Sequence, residues 1–311
     1  MAAKQLRMTI LSSVGHNLTS QFINATSRPQ FQRTTIITNL SIKKMCLTAL
    51  EWNPGSKRPL IMAFNRDEYY DRPTETAHFW DDKPHIYASR DLLTDGTWLA
   101  SSTTGRLAAL TNFHDRRDNG KKYPRTRGEI PVNFCDSSTS AVGFAKHLET
   151  LRDDYKGFSV LLFDGKHLVY CCNRSKATFF RELPSGTYGL GNDFLDAPWP
   201  KVERTKRAIQ RMRRDLTDRQ LAEYLLTEFN NTERVKDESL IPKTMGAELE
   251  RNLSAIFVQG PDYGTRTTTI VTYERNHGFC MLEKNYETPT SDSSSSLHLI
   301  KCELSYLRLP G

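Results

Sequence analysis

Short apolar runs bounded by Gly, Pro, Asn or Asp recur from residue 46 to residue 285, a pattern typical of β-strands. The predicted strands occupy residues 46–52, 59–64, two stretches within 97–113, two within 158–173, and residues 254–260, 266–274 and 279–285. Asp164-Gly165 supplies a hairpin turn within 158–173. Because the strands follow one another as hairpins and meanders, the pattern favours antiparallel sheets over a doubly wound parallel sheet.

Two regions instead place their apolar residues at helical spacing. Residues 138–155 align Val142, Ala145, Leu148 and Leu151 on one face, which predicts a helix. Residues 201–231 predict two helices, and the second begins at Thr217 with Gln220 three positions on, the signature of a capping box. Since helices and strands fall in separate blocks, the fold class expected is α+β, with antiparallel sheets covered by helices.

The net charge of +7 is concentrated at the start of the chain. Residues 1–44 hold six Lys or Arg and no acid, so the rest of the chain is nearly neutral and a nucleic-acid partner is not expected. The composition of 1–44 is that of a mitochondrial targeting segment, with a disordered tail as the alternative. No apolar run approaches the roughly 18 residues of a membrane-spanning helix, so no transmembrane segment is expected.

The cysteines and histidines lack the spacing of metal sites. None of the six Cys forms a CxxC pair, and none of the eight His is paired at helical spacing, so no metal site is predicted. Without a secretory signal, the cysteines indicate reduced thiols in a reducing compartment, the cytoplasm or the mitochondrion. Cys171 and Cys172 are adjacent in a predicted strand and should therefore point to opposite faces.

The segment "AFNRDEYYDRP", residues 63–73, is the strongest candidate for a site. It places Asn65, Arg66, Asp67 and Glu68 directly after a predicted buried strand. Polar side chains at the end of a buried strand are well placed to bind a ligand, although composition alone favours a salt-bridged turn.

The "NRDE" of this segment follows a Met-Cys pair, Met45-Cys46, by about twenty residues, and further motifs come in order behind it. They are "FW" at 79–80, "GTWLA" at 96–100, "GRLAALTN" at 105–112, "RGE" at 127–129, "GTYGLGN" at 186–192, "PW" at 198–199 and "PDYGTRTTT" at 261–269. Together they resemble the NRDE family, also called the transport-and-Golgi-organisation protein 2 family. The resemblance implies an NRDE domain at 45–287, after the basic extension 1–44 and before a Ser-rich linker and tail at 288–311.

The resemblance further implies a four-layer αββα sandwich similar to that of N-terminal-nucleophile hydrolases. In such enzymes a cysteine that has become the N-terminus attacks an amide, and Cys46 occupies that position. The hydrolase pattern then implies Arg66 and Asp67 beside the nucleophile, Asn112 and Asn192 as oxyanion or substrate donors, and Arg266 as an orienting charge.

Two functions remain open on this basis. The first is a role in intracellular trafficking and homeostasis: haem, lipid or acyl-CoA binding and transfer, Golgi organisation and protein secretion. Haem is then a cargo, and Asn65, Arg66, Asp67, Glu68 and Arg266 are the residues expected to bind an anionic ligand. The second is a cysteine amidohydrolase using Cys46. The expected location is cytoplasmic, with a mitochondrial or Golgi-associated alternative.

Overall fold

The computed structural model describes residues 45–236, 247–286 and 305–308. The predicted targeting segment at 1–44 and the Ser-rich linker at 291–296 lie outside these residues. Within the described ranges the strands are β1 (Cys46–Trp52), β2 (Leu60–Tyr69), β3 (Thr74–Trp80), β4 (Lys83–Asp91), β5 (Leu99–Ser102), β6 (Leu107–Asn112), β7 (Phe158–Phe163), β8 (Leu168–Cys172), β9 (Phe180–Glu182), β10 (Gly186–Leu190), β11 (Tyr263–Glu274), β12 (Gly278–Asn285) and β13 (Ser305–Arg308).

The described strands form two antiparallel sheets. The six-stranded sheet has the order β10-β1-β2-β11-β12-β13, and the seven-stranded sheet has the order β3-β4-β5-β6-β7-β8-β9. The long helices are α1 (Glu129–Asp136), α2 (Ala141–Thr150), α3 (Pro200–Arg211) and α4 (Asp218–Phe229), with a short α5 at Ala247–Asn252.

Three apolar clusters show that the elements stack in four layers. The central cluster joins the facing sides of the two sheets, for example through Phe64 of β2 and Phe163 of β7. A second cluster packs α1 and α2 on the outer face of the seven-stranded sheet. A third packs α3 and α4 on the outer face of the six-stranded sheet. The predicted αββα sandwich is therefore confirmed.

Several local predictions match the structure because short-range chemistry fixes them. The 158–173 hairpin turns at Gly165, whose φ of +88° suits glycine. The helix after Thr217 begins with a capping box in which the Thr217 side chain and the Gln220 side chain each accept a backbone N–H. Cys171 and Cys172 do face opposite sides: Cys171 lies in the helix-covered cluster and Cys172 in the central one.

Other predictions were wrong or incomplete. Residues 254–260 are not a strand: they bury consecutive side chains from Ala255 to Val258, which an apolar run alone does not distinguish from a strand. The strand predicted to end at residue 64 continues through Tyr69, so the NRDE segment lies within β2. The pattern also missed β3 and β4, and it missed α1, whose Pro131 lies in the first helical turn, where proline is tolerated.

No helix in the part of the chain described here is both long and apolar enough to cross a membrane.

Phe163 lies at the centre of the inter-sheet core, with ring centroids 5.6 Å from Trp52 and 5.0 Å from Tyr273. We expect Phe163→Ala to lower the free energy of unfolding by about 3–5 kcal/mol, because it leaves a cavity between the sheets. Leu93, 62% exposed, offers a control: Leu93→Ala should change the free energy of unfolding by less than about 0.5 kcal/mol. Urea denaturation would measure both, and equal effects would contradict the assignment of Phe163 to the core.

Candidate functional site

A small cavity of about 120 Å³ opens where the ends of β2, β4 and β6 meet the start of α1. Among the side chains that line it are Cys46, Arg66, Asp67, Glu68, Asn112 and Arg127. The structure therefore brings together five residues that the sequence selected from three separate segments. It adds Arg127, to which the sequence assigned no role.

Cys46 is the first residue of β1 and pairs with Arg66 on β2. The Cys46 backbone N–H donates to Oδ1 of Asn192 at 2.8 Å. Burial raises the pKa of the Cys46 thiol to about 12, and the negative charge of Asp67 adds to this, while Arg66 opposes it. The thiol is therefore protonated at neutral pH while Cys46 is an internal residue, and it is a weak nucleophile in this form.

Asn192 joins the start of β1 to the end of β6. Its Nδ2 donates to the carbonyl of Asn112 at 2.7 Å, and the backbone N–H of His114 donates to the Asn192 carbonyl at 3.1 Å. The two asparagines predicted as donors therefore lie next to each other beside Cys46, with Asn112 in the cavity wall.

Arg66 is only 3% exposed, and its guanidinium is held in place by two contacts. Its guanidinium stacks over the Trp98 ring at 4.0 Å from the centroid and donates to Asp91 at 3.3 Å. Arg72 donates to both oxygens of Asp91. Burial opposes ionisation of Asp91, but hydrogen bonds and charge from Arg72 and Arg66 hold the pKa of this carboxyl below its usual range. Asp91 therefore neutralises one of the two positive charges, and Glu68, which pairs with the same two arginines, neutralises the other.

Arg127 differs from its neighbours because it donates its hydrogen bond to a neutral group. Its Nη1 donates to the Gly157 carbonyl at 2.8 Å, and no carboxylate of the described residues forms an ion pair with it. Burial lowers the pKa of Arg127 to about 10, although the charge of Asp118, which is paired with Arg174, acts against this; the side chain is still charged at neutral pH. A charged group in a cavity wall without a counter-ion favours an anion in that cavity.

Asp67 is almost wholly buried, and only part of its carboxylate is hydrogen-bonded. Oδ1 accepts from the Thr265 hydroxyl at 2.7 Å, whereas Oδ2 has no hydrogen-bond partner among the described atoms. Burial raises the pKa of Asp67 to about 7, and the charge of Lys201 pulls it down. The group therefore titrates close to neutrality.

Two of the predicted ligand-binding residues lie outside the cavity wall. Asn65 points to the helix-covered face of β2, where its Nδ2 donates to the carbonyls of Phe229 and Ile256, both at 2.9 Å. Arg266 donates to the carbonyls of Tyr69 and Arg72 and so anchors the turn that carries Arg72. Glu68 lines the cavity and forms an ion pair with Arg72 at 3.4 Å.

The sequence supplied a signal for some residues that were missed. Trp98 lies in the "GTWLA" motif and Arg127 begins "RGE". Each residue was therefore part of a family motif, but no role was assigned to it. Asp91 lies in no quoted motif. Its importance follows only from its two arginine partners, which are distant in sequence.

A family model described as Transport and Golgi organisation 2 matches residues 45–288. The chain belongs to this family. Relatives with the name Transport and Golgi organization protein 2 homolog include one from Bos taurus, 34% identical, and one from Homo sapiens, 33% identical; each match covers 73% of this chain and 88% of the relative. A Drosophila melanogaster protein of the family is 25% identical over 74% of this chain and 87% of its own length.

Two solved structures have a similar arrangement of the chain. One is the Caenorhabditis elegans ortholog of N-acylethanolamine-hydrolyzing acid amidase, with a TM-score of 0.43, 10% identity, and coverage of 72% of this chain and 92% of that one. The other is the C2A mutant of conjugated bile acid hydrolase from Clostridium perfringens, with a TM-score of 0.45, 10% identity, and coverage of 84% and 96%. Neither similarity assigns an activity to this family member.

We expect the stability of the protein to report the titration of Asp67. Its pKa is raised on folding from an ordinary value near 3.9 to about 7, so the folded state binds the proton more tightly. The stabilisation from this proton is complete below pH 4 and is lost as the pH rises through about 7. Relative to Asp67→Asn, the wild type should lose on the order of 3 kcal/mol of unfolding free energy between pH 4 and pH 8.

Urea denaturation at several pH values measures this difference. Asp215→Asn is the matched control, because hydrogen bonds from Arg213 lower the pKa of the exposed Asp215 and it is ionised throughout this range. A wild type and Asp67→Asn variant that respond to pH in parallel would show that Asp67 is already charged at pH 4.

Proposed function

We propose that the chain binds the anionic group of a small ligand in the cavity at Cys46, and that this binding serves intracellular trafficking. The observation that carries the proposal is Arg127, a charged side chain in the cavity wall whose hydrogen bond goes to a neutral carbonyl. Asp91 and Glu68 together compensate the charges of Arg66 and Arg72, so Arg127 supplies the excess positive charge. A carboxylate or a phosphate is the group that an arginine binds best.

The size of the cavity limits what enters it. Pockets that enclose a whole drug-sized ligand measure about 300–1,000 Å³, whereas this cavity measures about 120 Å³. It accommodates a carboxylate or phosphate while the rest of the ligand lies outside. Haem, through a propionate, and acyl-CoA, through a phosphate, are the two ligands to test first. Golgi organisation, protein secretion, haem transfer and a mitochondrial location through residues 1–44 are the physiological part of this proposal.

Arg127→Gln tests the proposal directly. It keeps a hydrogen-bond donor but removes the charge, so we expect the Kd for haem or for acyl-CoA to rise about tenfold or more. Arg219→Gln is the matched control, because Arg219 lies on the exposed surface of α4 and should leave the Kd unchanged. Isothermal titration would give both values, and thermal unfolding would verify that the variants fold. An unchanged Kd for Arg127→Gln would refute the assigned anion site.

A second candidate function, amide hydrolysis by Cys46, is favoured by the contact between the Cys46 nitrogen and Asn192. A free α-amine at this nitrogen would take the proton of the thiol as sulfur attacks an amide carbonyl. The ammonium so formed would return the proton to the amine part of the substrate as the C–N bond breaks, and water would then hydrolyse the thioester and regenerate the thiol. Asn112 and Asn192 would stand beside the carbonyl oxygen. A peptide nitrogen does not accept a proton, so the Met45–Cys46 bond must first be cleaved.

Met45 holds this nitrogen in its peptide form. It is 2% exposed and packs against Leu253 and Val258. Its N–H donates to the Tyr263 hydroxyl, and its carbonyl accepts from the N–H of Asp67 at 3.0 Å. The bond to be cleaved therefore lies in a buried and hydrogen-bonded part of the fold.

We expect a chain that begins at Cys46 to hydrolyse one or more members of a panel of fluorogenic N-acyl amides. Cys46→Ser should abolish or severely reduce that activity, because the hydroxyl is a poorer nucleophile, while haem and acyl-CoA binding remain. Chains that begin at Met1 or Met45 should be inactive. Intact-mass measurement would establish each N-terminus. Equal turnover by the Met45 chain, or by the Ser variant, would exclude the α-amine mechanism.

A further inference from the structure

A larger depression, of about 700 Å³, has an aromatic floor. Phe113 and Phe194 form this floor, and their rings meet edge to face with centroids 4.8 Å apart. Phe194 is 43% exposed, although large apolar side chains of the described residues are mostly buried. An apolar floor in a concave surface is typical of a ligand site. We call this depression the Phe113–Phe194 groove.

The groove adjoins the Cys46 cavity through shared backbone. Asn112 lines the cavity, and the next residue, Phe113, lines the groove. The Gly157 carbonyl accepts from the Phe113 N–H at 2.9 Å and from Nη1 of Arg127 at 2.8 Å. The Gly157 carbonyl therefore contacts both Arg127, in the cavity wall, and the backbone of Phe113, in the groove lining, so the two sites share a wall.

The charges at the groove suit a negatively charged amphiphile. Asp115 is the acid in its lining, and it is neutralised by Arg117 at 2.6 Å and by Arg174 at 3.1 Å. Lys176 is exposed at the rim, and no carboxylate in the described ranges forms an ion pair with it. The lining therefore carries a net positive charge.

We propose that the Phe113–Phe194 groove binds the apolar chain of a fatty-acid-like ligand whose carboxylate lies in the cavity at Arg127. The proposal rests on the anion site proposed above and adds the class of ligand. Because the cavity and the groove share a wall, a carboxylate joined directly to its chain fits them better than a phosphate that a long linker separates from the chain. The cavity volume fits a carboxylate, and the groove has room for a chain beside the two rings.

The test is a titration of the full chain with octanoate, decanoate and dodecanoate below their micelle concentrations. A fully buried methylene contributes about fourfold in affinity, and an open groove buries about half of each, so we expect about a twofold gain per added methylene. Phe194→Ser should remove most of this dependence and weaken dodecanoate binding about fivefold. Because Phe194 is 43% exposed, the variant should fold, which thermal unfolding verifies.

Phe79→Ser is the matched control. Phe79 is 38% exposed and meets Tyr87 edge to face at 5.3 Å, but it lies on β3, outside the groove lining. It should leave the chain-length dependence intact. The groove proposal would be overturned by an affinity that is independent of chain length. It would also be overturned if Phe194→Ser loses no more affinity for dodecanoate than Phe79→Ser.

Arg127→Gln separates this proposal from the anion site. It should weaken all three fatty acids by the same factor, since each carries the same carboxylate. If Arg127→Gln weakens haem, acyl-CoA and octanoate while chain length has no effect, the anion site stands and the groove proposal fails. If chain length and Phe194 matter but Arg127 does not, the anion site fails and the groove stands as a site for the apolar chain alone.

Discussion

The charged end of β2 is buried, and the fold depends on partners that compensate those charges. Arg66, Asp67 and Glu68 are each at most 5% exposed, and an uncompensated buried charge costs several kcal/mol. Asp91 accepts from Arg66, while Thr265 donates to Asp67. These bonds join β2 to the end of β4 and to β11, so the groups that shape the site also fix the relative positions of the elements that carry it.

Two groups outside this charge compensation, the Arg127 guanidinium and the Cys46 thiol, decide which chemistry the site supports. Arg127 is charged and bound to a neutral carbonyl, and the Cys46 thiol is neutral because burial raises its pKa to about 12. A cavity with excess positive charge and no thiolate is suited to binding an anion. The same site becomes suited to nucleophilic attack only when the Cys46 nitrogen is an amine, so a single peptide bond separates the two proposed functions.

The site combines residues whose roles differ although they are neighbours in sequence. Asn65 holds the carbonyls of Phe229 and Ile256 beneath the helix layer, whereas Arg66, the next residue, faces the cavity. Period-two alternation along a strand imposes this difference. The NRDE segment is therefore both a structural anchor and a wall of the site.

The features that depend on near neighbours could be predicted from the sequence: the Gly165 turn, the capping box at Thr217 and the succession of hairpins. Ordered motifs also pointed to the family and to its αββα sandwich. Packing of distant elements, in contrast, places Arg127 in one cavity with Cys46, where no carboxylate of the described residues forms an ion pair with it, and joins Asp91 to two arginines. The physical reason is that local hydrogen bonding and burial period specify an element, whereas contacts between distant elements arise only when the sheets and helices pack.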